Sequence, residues 1–214
     1  MYSLLDLWQD LYNKLIPFSW TDWIELIGAT AGVISVWYGR RGHILFYPIG
    51  LIYDLAFVYL CFRVSLYANM GIYLYYTGMS LYGWVYWLRS KPGEKKTPIS
   101  FVPNQILNAT LVACLVIAIG LYFLLEQLPQ ESQAPLWDAL SSSFFVIGMW
   151  LMARKHVEAW YFWILGDAIC LPLYAYTGLY FGAIQFLIFL VLGVQGLLHW
   201  RREALHTQSG LRNS

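Results

Sequence analysis

The sequence predicts an all-α membrane protein: seven transmembrane helices in a 3+1+3 parallel-repeat arrangement, preceded by an amphipathic N-terminal helix. Three observations predict this. The 214 residues are 59% hydrophobic and only 12% charged, against about 25% charged in ordinary globular domains, so lipid is the expected solvent. Seven apolar segments are long enough to cross a bilayer as helices. The chain also resembles itself when slid by 113 residues.

The elements follow in order. In MYSLLDLWQDLYNKLI, Leu4, Leu7, Trp8, Leu11 and Leu15 recur at helical spacing, with Asp6, Gln9, Asp10 and Asn13 on the other side. That is the pattern of a helix lying on a membrane surface, ended by Pro17. It lacks the basic start and small-residue cleavage site of a signal peptide. The spans are expected near 22–39, 43–62, 66–88, 104–125, 136–153, 157–176 and 180–200. Polar connections flank the fourth: Ser90–Pro103, and Glu126–Pro135, which has no basic residue. The expected units are therefore a surface helix (1–20), a first three-helix repeat (21–89), a linker with the fourth span (90–135), a second repeat (136–203) and a tail (204–214).

Lys and Arg fall unevenly between the two ends of such a bundle. Arg40, Arg41, Arg89, Lys91, Lys95, Lys96, Arg154, Lys155, Arg201, Arg202 and Arg212 share one end, while the other has only Lys14 and Arg63. Basic loops stay in the cytoplasm, so the N-terminus is expected outside and the C-terminus inside. Trp20, Trp23 and Trp137 then mark the outer boundary, with Trp37, Trp84, Trp87, Trp150 and Trp200 at the inner one.

The repeat pairs Val33/Val146, Ile34/Ile147, Trp37/Trp150, Arg41/Arg154, His43/His156 and Asp54/Asp167, then Leu60/Leu173, Leu66/Leu179, Tyr67/Tyr180, Gly83/Gly196, Trp87/Trp200 and Arg89/Arg202. These include rare residues and the only mid-span acids. Three helices would invert the second copy; the single fourth helix restores its direction. Parallel repeats are a transporter plan, with the site expected between the halves near the midplane.

The stretch Val157–Tyr176 carries the chemistry. Trp160, Trp163 and Asp167 fall at i, i+3 and i+7 on one helix face. Two π surfaces beside a lone carboxylate suit a flat aromatic ligand, above all a cationic one, and an acid at bilayer depth marks a functional position. The first half has Tyr47 and Gly50 where the second has Trp160 and Trp163, so the halves present unlike walls. Bland readings compete: an interfacial anchor for Trp160, an interhelical hydrogen bond for Asp167 and Asp54, or proton coupling at either acid. Gln185 and Gln195 must face protein, water or ligand; Gln185 is read as a ligand contact and Gln195 as packing. Asn108 and Gln105 are read as facing the cavity from the fourth helix, and Tyr53 as a hydroxyl donor. Pro48 and Pro172 are expected to kink their spans.

Other classes find no support. Cys61, Cys114 and Cys170 sit in apolar runs without paired spacing, so neither disulfides nor a metal site is expected. The net charge of +1 argues against nucleic acid. No G-x-S-x-G, phosphate-cradling loop or HExxH is present, so no enzyme and no cofactor are expected.

The WxxW in VEAWYFW, the ending GLYFGAIQF…GVQGLLHW and its echo SLYANMGIY…SLYGWVYW resemble the PnuC vitamin transporters over about residues 22–202. That family is similar in fold to the SWEET sugar transporters. The resemblance implies facilitated diffusion of nicotinamide riboside, trapped inside by a cytosolic kinase, through a homotrimer. It also allows thiamine, riboflavin or a deoxynucleoside as cargo. A compact transporter of this kind suits a bacterial inner membrane. A receptor or assembly module that binds without translocating is the reading from another class.

Overall fold

The computed structural model describes residues 19–89, 97–128, 132 and 134–212. The surface helix expected within 1–20 lies outside the described residues, apart from its last two positions. The described residues form seven helices: α1 (Trp20–Gly39), α2 (Phe46–Arg63), α3 (Tyr67–Leu88), α4 (Asn104–Glu126), α5 (Pro135–Ala153), α6 (Ala159–Tyr176) and α7 (Tyr180–Arg212). Four of them, α2, α4, α5 and α7, are long and apolar enough by length and composition to cross a membrane. This is an all-helical, multi-pass membrane protein.

Local chemistry sets the helix ends. A capping box opens α1: Ser19 Oγ accepts from the Asp22 amide at 3.3 Å and the Asp22 carboxylate accepts from the Ser19 amide at 2.6 Å. Pro135 occupies the first turn of α5, where its missing N–H is not needed. Pro48 does the same. Because α2 starts at Phe46, this proline sits in a first turn and removes no intrahelical bond, which corrects the expected kink. Pro172 does lie inside α6. The tail expected to begin at 204 is a continuation of α7, since no Gly or Pro interrupts it before Gly210 and His199 and Glu203 pair one turn apart at 3.6 Å.

Neighbours in sequence pack as neighbours in space: α1 on α2, α2 on α3, α5 on α6 and α6 on α7. α4 packs mainly on α5 and faces α6 across a groove lined by Leu111, Leu115, Tyr161 and Leu165, while α3–α5 and α1–α7 contacts join the two halves. The largest fully buried side chains, among them Trp160, Trp200, Tyr47 and Leu151, cluster at one end of the bundle, the end that carries Arg40 and Arg154. At the other end Tyr176 and Phe181 are exposed.

Two tryptophans lock the buried end. Trp87 Nε1 on α3 donates to the Ala153 carbonyl that ends α5, at 3.2 Å; Trp200 Nε1 on α7 donates to the Gly39 carbonyl that ends α1, at 3.1 Å. Each half thus satisfies a terminal carbonyl of the other. The expectation that Trp87 and Trp200 are belt residues is corrected, because both are buried and their N–H groups are committed to protein. Trp20, Trp23 and Trp137 are exposed, as a belt requires.

The linker before α4 is not a free connection. Ser100 N donates to Lys155 O at 3.1 Å and Val157 N to Ser100 O at 3.0 Å, a parallel bridge beside His156. Lys155 Nζ donates to Thr97 O, Val102 N donates to the Glu158 carboxylate, and Ile99 and Val102 are buried. This strap lies over the turn that leads into Trp160. Burial pushes the His156 imidazole below its ordinary value of about 6.5; a backbone hydrogen bond with Ser100 opposes this and Arg154 reinforces it. The folded strap therefore binds that proton less readily than the open one, so the His156 contribution is intact above about pH 6.5 and declines below it. Glu158, raised by burial, contributes with the opposite sign. Acidification is expected to lower amide-exchange protection at Ser100 and Val157 more in the native chain than in His156→Gln. Equal pH dependence in the two would refute this role for His156.

Candidate functional site

The repeat makes the site readable by subtraction, because the residues of α6, and of α7 as far as Arg202, pair in sequence with residues 113 positions earlier. Tyr47 on α2 lies against Gly83, and Trp160 on α6 lies against Gly196. Tyr47 meets Trp87 edge to face at 4.9 Å, and Trp160 meets Trp200 the same way at 5.6 Å. Trp160 is thus walled in as the counterpart of a packing residue. A Cβ on Gly196 would stand 2.6 Å from its indole.

Trp163 departs from its counterpart. In the first half Gly50 faces Ser35, whose Oγ donates to the Phe46 carbonyl at 2.6 Å. In the second half the sizes are exchanged: Trp163 faces Gly148, and a Cβ there would be 3.0 Å from the ring. The indole is half-buried and meets Phe145 at 5.5 Å and Tyr76 at 6.4 Å. Gly148 exists to seat this ring.

Asp54 and Asp167 are both buried, at 5% and 1% exposure. Ser80 Oγ donates to Asp54 Oδ2 at 2.9 Å, whereas Asp167 Oδ1 has no hydrogen-bond partner. Neither do the buried atoms Trp160 Nε1, Trp163 Nε1 and Gln185 Nε2. Among the described residues, α6 and α7 carry four such atoms and α2 and α3 carry none; the two others, Arg40 Nε and Arg154 Nε, lie at the ends of α1 and α5. Buried polar groups are rarely left unpaired without a reason, and here they collect in one half.

Trp160, Trp163 and Asp167 border one small enclosed cavity of about 10 Å³, closed by Val36 and Phe46 from the first half and by Phe189 and Gly193 of α7. It spans the junction of the halves. At that volume it holds about one water, so a ring-sized ligand enters only if side chains or helices move apart. Gln185 lies one turn from Phe189 on α7.

The structure brings together Trp160, Trp163 and Asp167; Gln185 does not border their cavity but lies on α7 one turn before Phe189, which does. It does not bring in the rest. Gln105 and Asn108 are exposed on α4 and do not border this cavity. Tyr53 covers Gly32 and meets Phe57 at a tilt and Tyr73 edge to face in the first half, while Asp54 is engaged by Ser80. Gln195 accepts a hydrogen bond from Arg40, tying α7 to α1. Sequence reasoning missed Gly148 and Gly193; the signal was there, in comparing each with its counterpart rather than in matching residues alone. No group of three His, Cys, Asp or Glu side chains able to hold a metal occurs among the described residues.

The chain is similar to known transporters over most of its length. It is 25% identical over 207 residues to the nicotinamide riboside transporter PnuC of Escherichia coli, covering 85% of this chain and 86% of that one. It is 26% identical over 180 residues to the riboflavin/roseoflavin transporter RibM of Streptomyces davaonensis, covering 83% and 84%. A crystal structure of the vitamin B3 transporter PnuC matches the fold with a TM-score of 0.70 at 19% identity, over 96% of this chain and 94% of the other. A family model described as nicotinamide mononucleotide transporter matches residues 22–202, and the chain belongs to that family.

Proposed function

We propose that this protein takes up nicotinamide riboside by facilitated diffusion across a bacterial inner membrane, and that a cytosolic kinase traps the cargo. The carrying observation is the set of four unpartnered buried polar atoms on α6 and α7, two of them on indoles beside a carboxylate. A pyridinium ring is a flat cation that suits Trp163 and Asp167 together; the riboside's hydroxyls and carboxamide suit Asp167 and Gln185. The relatives named for nicotinamide riboside support the same cargo.

The family description names the mononucleotide, and a physical argument favours the riboside. The cavity is bordered by no basic residue, so a phosphate there would lose hydration with no cation to compensate it. Riboflavin is the second reading, favoured by the similarity to RibM. Thiamine, another flat cation, is the alternative the site itself admits.

The proposed architecture is seven spans with the repeats 21–89 and 136–203 parallel to one another, related through α4. The reciprocal Trp87 and Trp200 contacts support it. The basic end lies in the cytoplasm and the N-terminus outside, following the Lys and Arg distribution. The working unit is a homotrimer, and the protein is a carrier rather than an enzyme.

Calorimetric titration of the purified protein tests the cargo. Nicotinamide riboside is expected to bind, with its 5′-phosphate at least about tenfold weaker, the worth of about 1.4 kcal/mol. Uptake into protein-loaded liposomes containing the kinase should follow. Heat from thiamine or riboflavin but none from the riboside would overturn the cargo, and binding without uptake would favour a receptor.

A further inference from the structure

One difference between the halves concerns the acid alone. Asp54 of α2 and Asp167 of α6 are equivalent, and Ser80 of α3 is equivalent to Gly193 of α7 at the same spacing of 113. In the first half the Ser80 hydroxyl donates to Asp54 at 2.9 Å, with both residues buried. In the second half the side chain that would donate is missing. Gly193 borders the same cavity as Asp167, and Asp167 Oδ1, on a side chain 1% exposed, has no partner. A buried acceptor left unmade is costly, and one hydroxyl at position 193 would remove that cost. The chain carries that hydroxyl in one half and omits it in the other.

Two further exchanges run in the same direction. Gly50 is replaced by Trp163, seated on Gly148, and Ile72 is replaced by Gln185, whose Nε2 is also unpartnered. At three equivalent positions the first half is closed and internally satisfied, while the second withholds a donor or adds a group with nothing to bind. A Cβ at 193 would stand 3.1 Å from Ile164 Cγ1 and 3.9 Å from its Cδ1, so a small side chain fits there once Ile164 gives way by a few tenths of an ångström.

We propose that Gly193 is the specificity-determining position of the site: by withholding the hydroxyl that Ser80 supplies to Asp54, it reserves Asp167 to accept a hydrogen bond from an O–H donor of the cargo, the hydroxyls of a ribosyl or ribityl group. This rests on the transport reading above and deepens it. It makes the first half an internal reference in which the same acid serves packing. It also separates the roles in the site: Trp163 reads the ring and Asp167 reads the sugar.

The test compares Gly193→Ser with Gly193→Ala, which adds the same Cβ without the hydroxyl. Gly193→Ala is expected to weaken riboside binding less than about threefold. Gly193→Ser should weaken it roughly tenfold beyond that, the range of one lost hydrogen bond. Without ligand, Gly193→Ser should melt above Gly193→Ala, because its hydroxyl reaches Asp167. N-methylnicotinamide, the same cation without the sugar, should not distinguish the two variants. Equal riboside affinities for Ser and Ala overturn this inference while leaving the cargo intact, as does a Ser penalty equally large for N-methylnicotinamide. If the native chain does not bind the riboside, the cargo reading fails and the comparison moves to riboflavin, whose ribityl hydroxyls fit the same acid. An excess loss with Ser supports the inference there; no excess, or no binding of either compound, overturns it.

Discussion

Replacing Trp163 with alanine is expected to remove measurable riboside binding while the protein still folds. The indole is only half-buried, and its contacts with Phe145 and Tyr76 are tilted ring contacts at 5.5 and 6.4 Å rather than a filled core position. A desolvated cation–π contact is worth about 2 kcal/mol or more, and the apolar area buried against the ligand ring adds to it. The sum corresponds to a loss of roughly a hundredfold. Trp163→Phe should retain part of the binding, since a face remains but a weaker one. Calorimetry gives the affinity and a thermal melt in detergent the stability. Unchanged affinity in Trp163→Ala would sink the site, and a collapsed melt would assign the residue to the fold instead.

Trp160→Ala is expected to behave in the opposite way. This indole is 2% exposed, lies between Gly196 and Trp200, and repeats the packing of Tyr47 against Gly83 and Trp87. Truncating so large a buried ring costs about 3–5 kcal/mol, enough to unfold a marginal membrane domain. Gly196→Ala should also destabilise, by about 1–3 kcal/mol, because the added carbon would stand 2.6 Å from a ring that has nowhere to go. The two changes share one cavity, so a Trp160→Leu, Gly196→Ala double variant should recover part of the loss. If Trp160→Ala melts like the native protein and only loses ligand, both halves of the WxxW pair serve binding.

The two tryptophans of one motif thus separate by burial, and this marks the limit of what spacing can say. An i, i+3 pair places both rings on one face of α6; it does not say which ring meets protein and which meets the cavity. That depends on the facing helices. Gly196 of α7 admits Trp160 and Gly148 of α5 admits Trp163, yet Trp200 closes over the first and nothing seals the second to the same degree. The strap formed by Ile99–Val102 was hidden for a similar reason. Its residues read as linker because one bridge to a distant loop has no period.

What the sequence determined by itself was the helical content, the places of the seven helices and the pairing of residues 113 positions apart. Those follow from short-range terms, apolar length above all, and from a repeat that lists its own counterparts. What only the tertiary structure decided was partnership. Asp54 and Asp167 are the same letter in the same frame, but one has a serine within 2.9 Å and the other does not. Trp87 and Trp200 look like boundary residues until their N–H groups are found on carbonyls of the opposite half. Gln105 and Asn108 look like cavity polar groups until both are seen exposed on α4, away from the residues that line the cavity. A residue's type and depth are local properties of the chain. Whether its polar atom is satisfied depends on which helix faces it, and that is settled by contacts a hundred residues away in sequence.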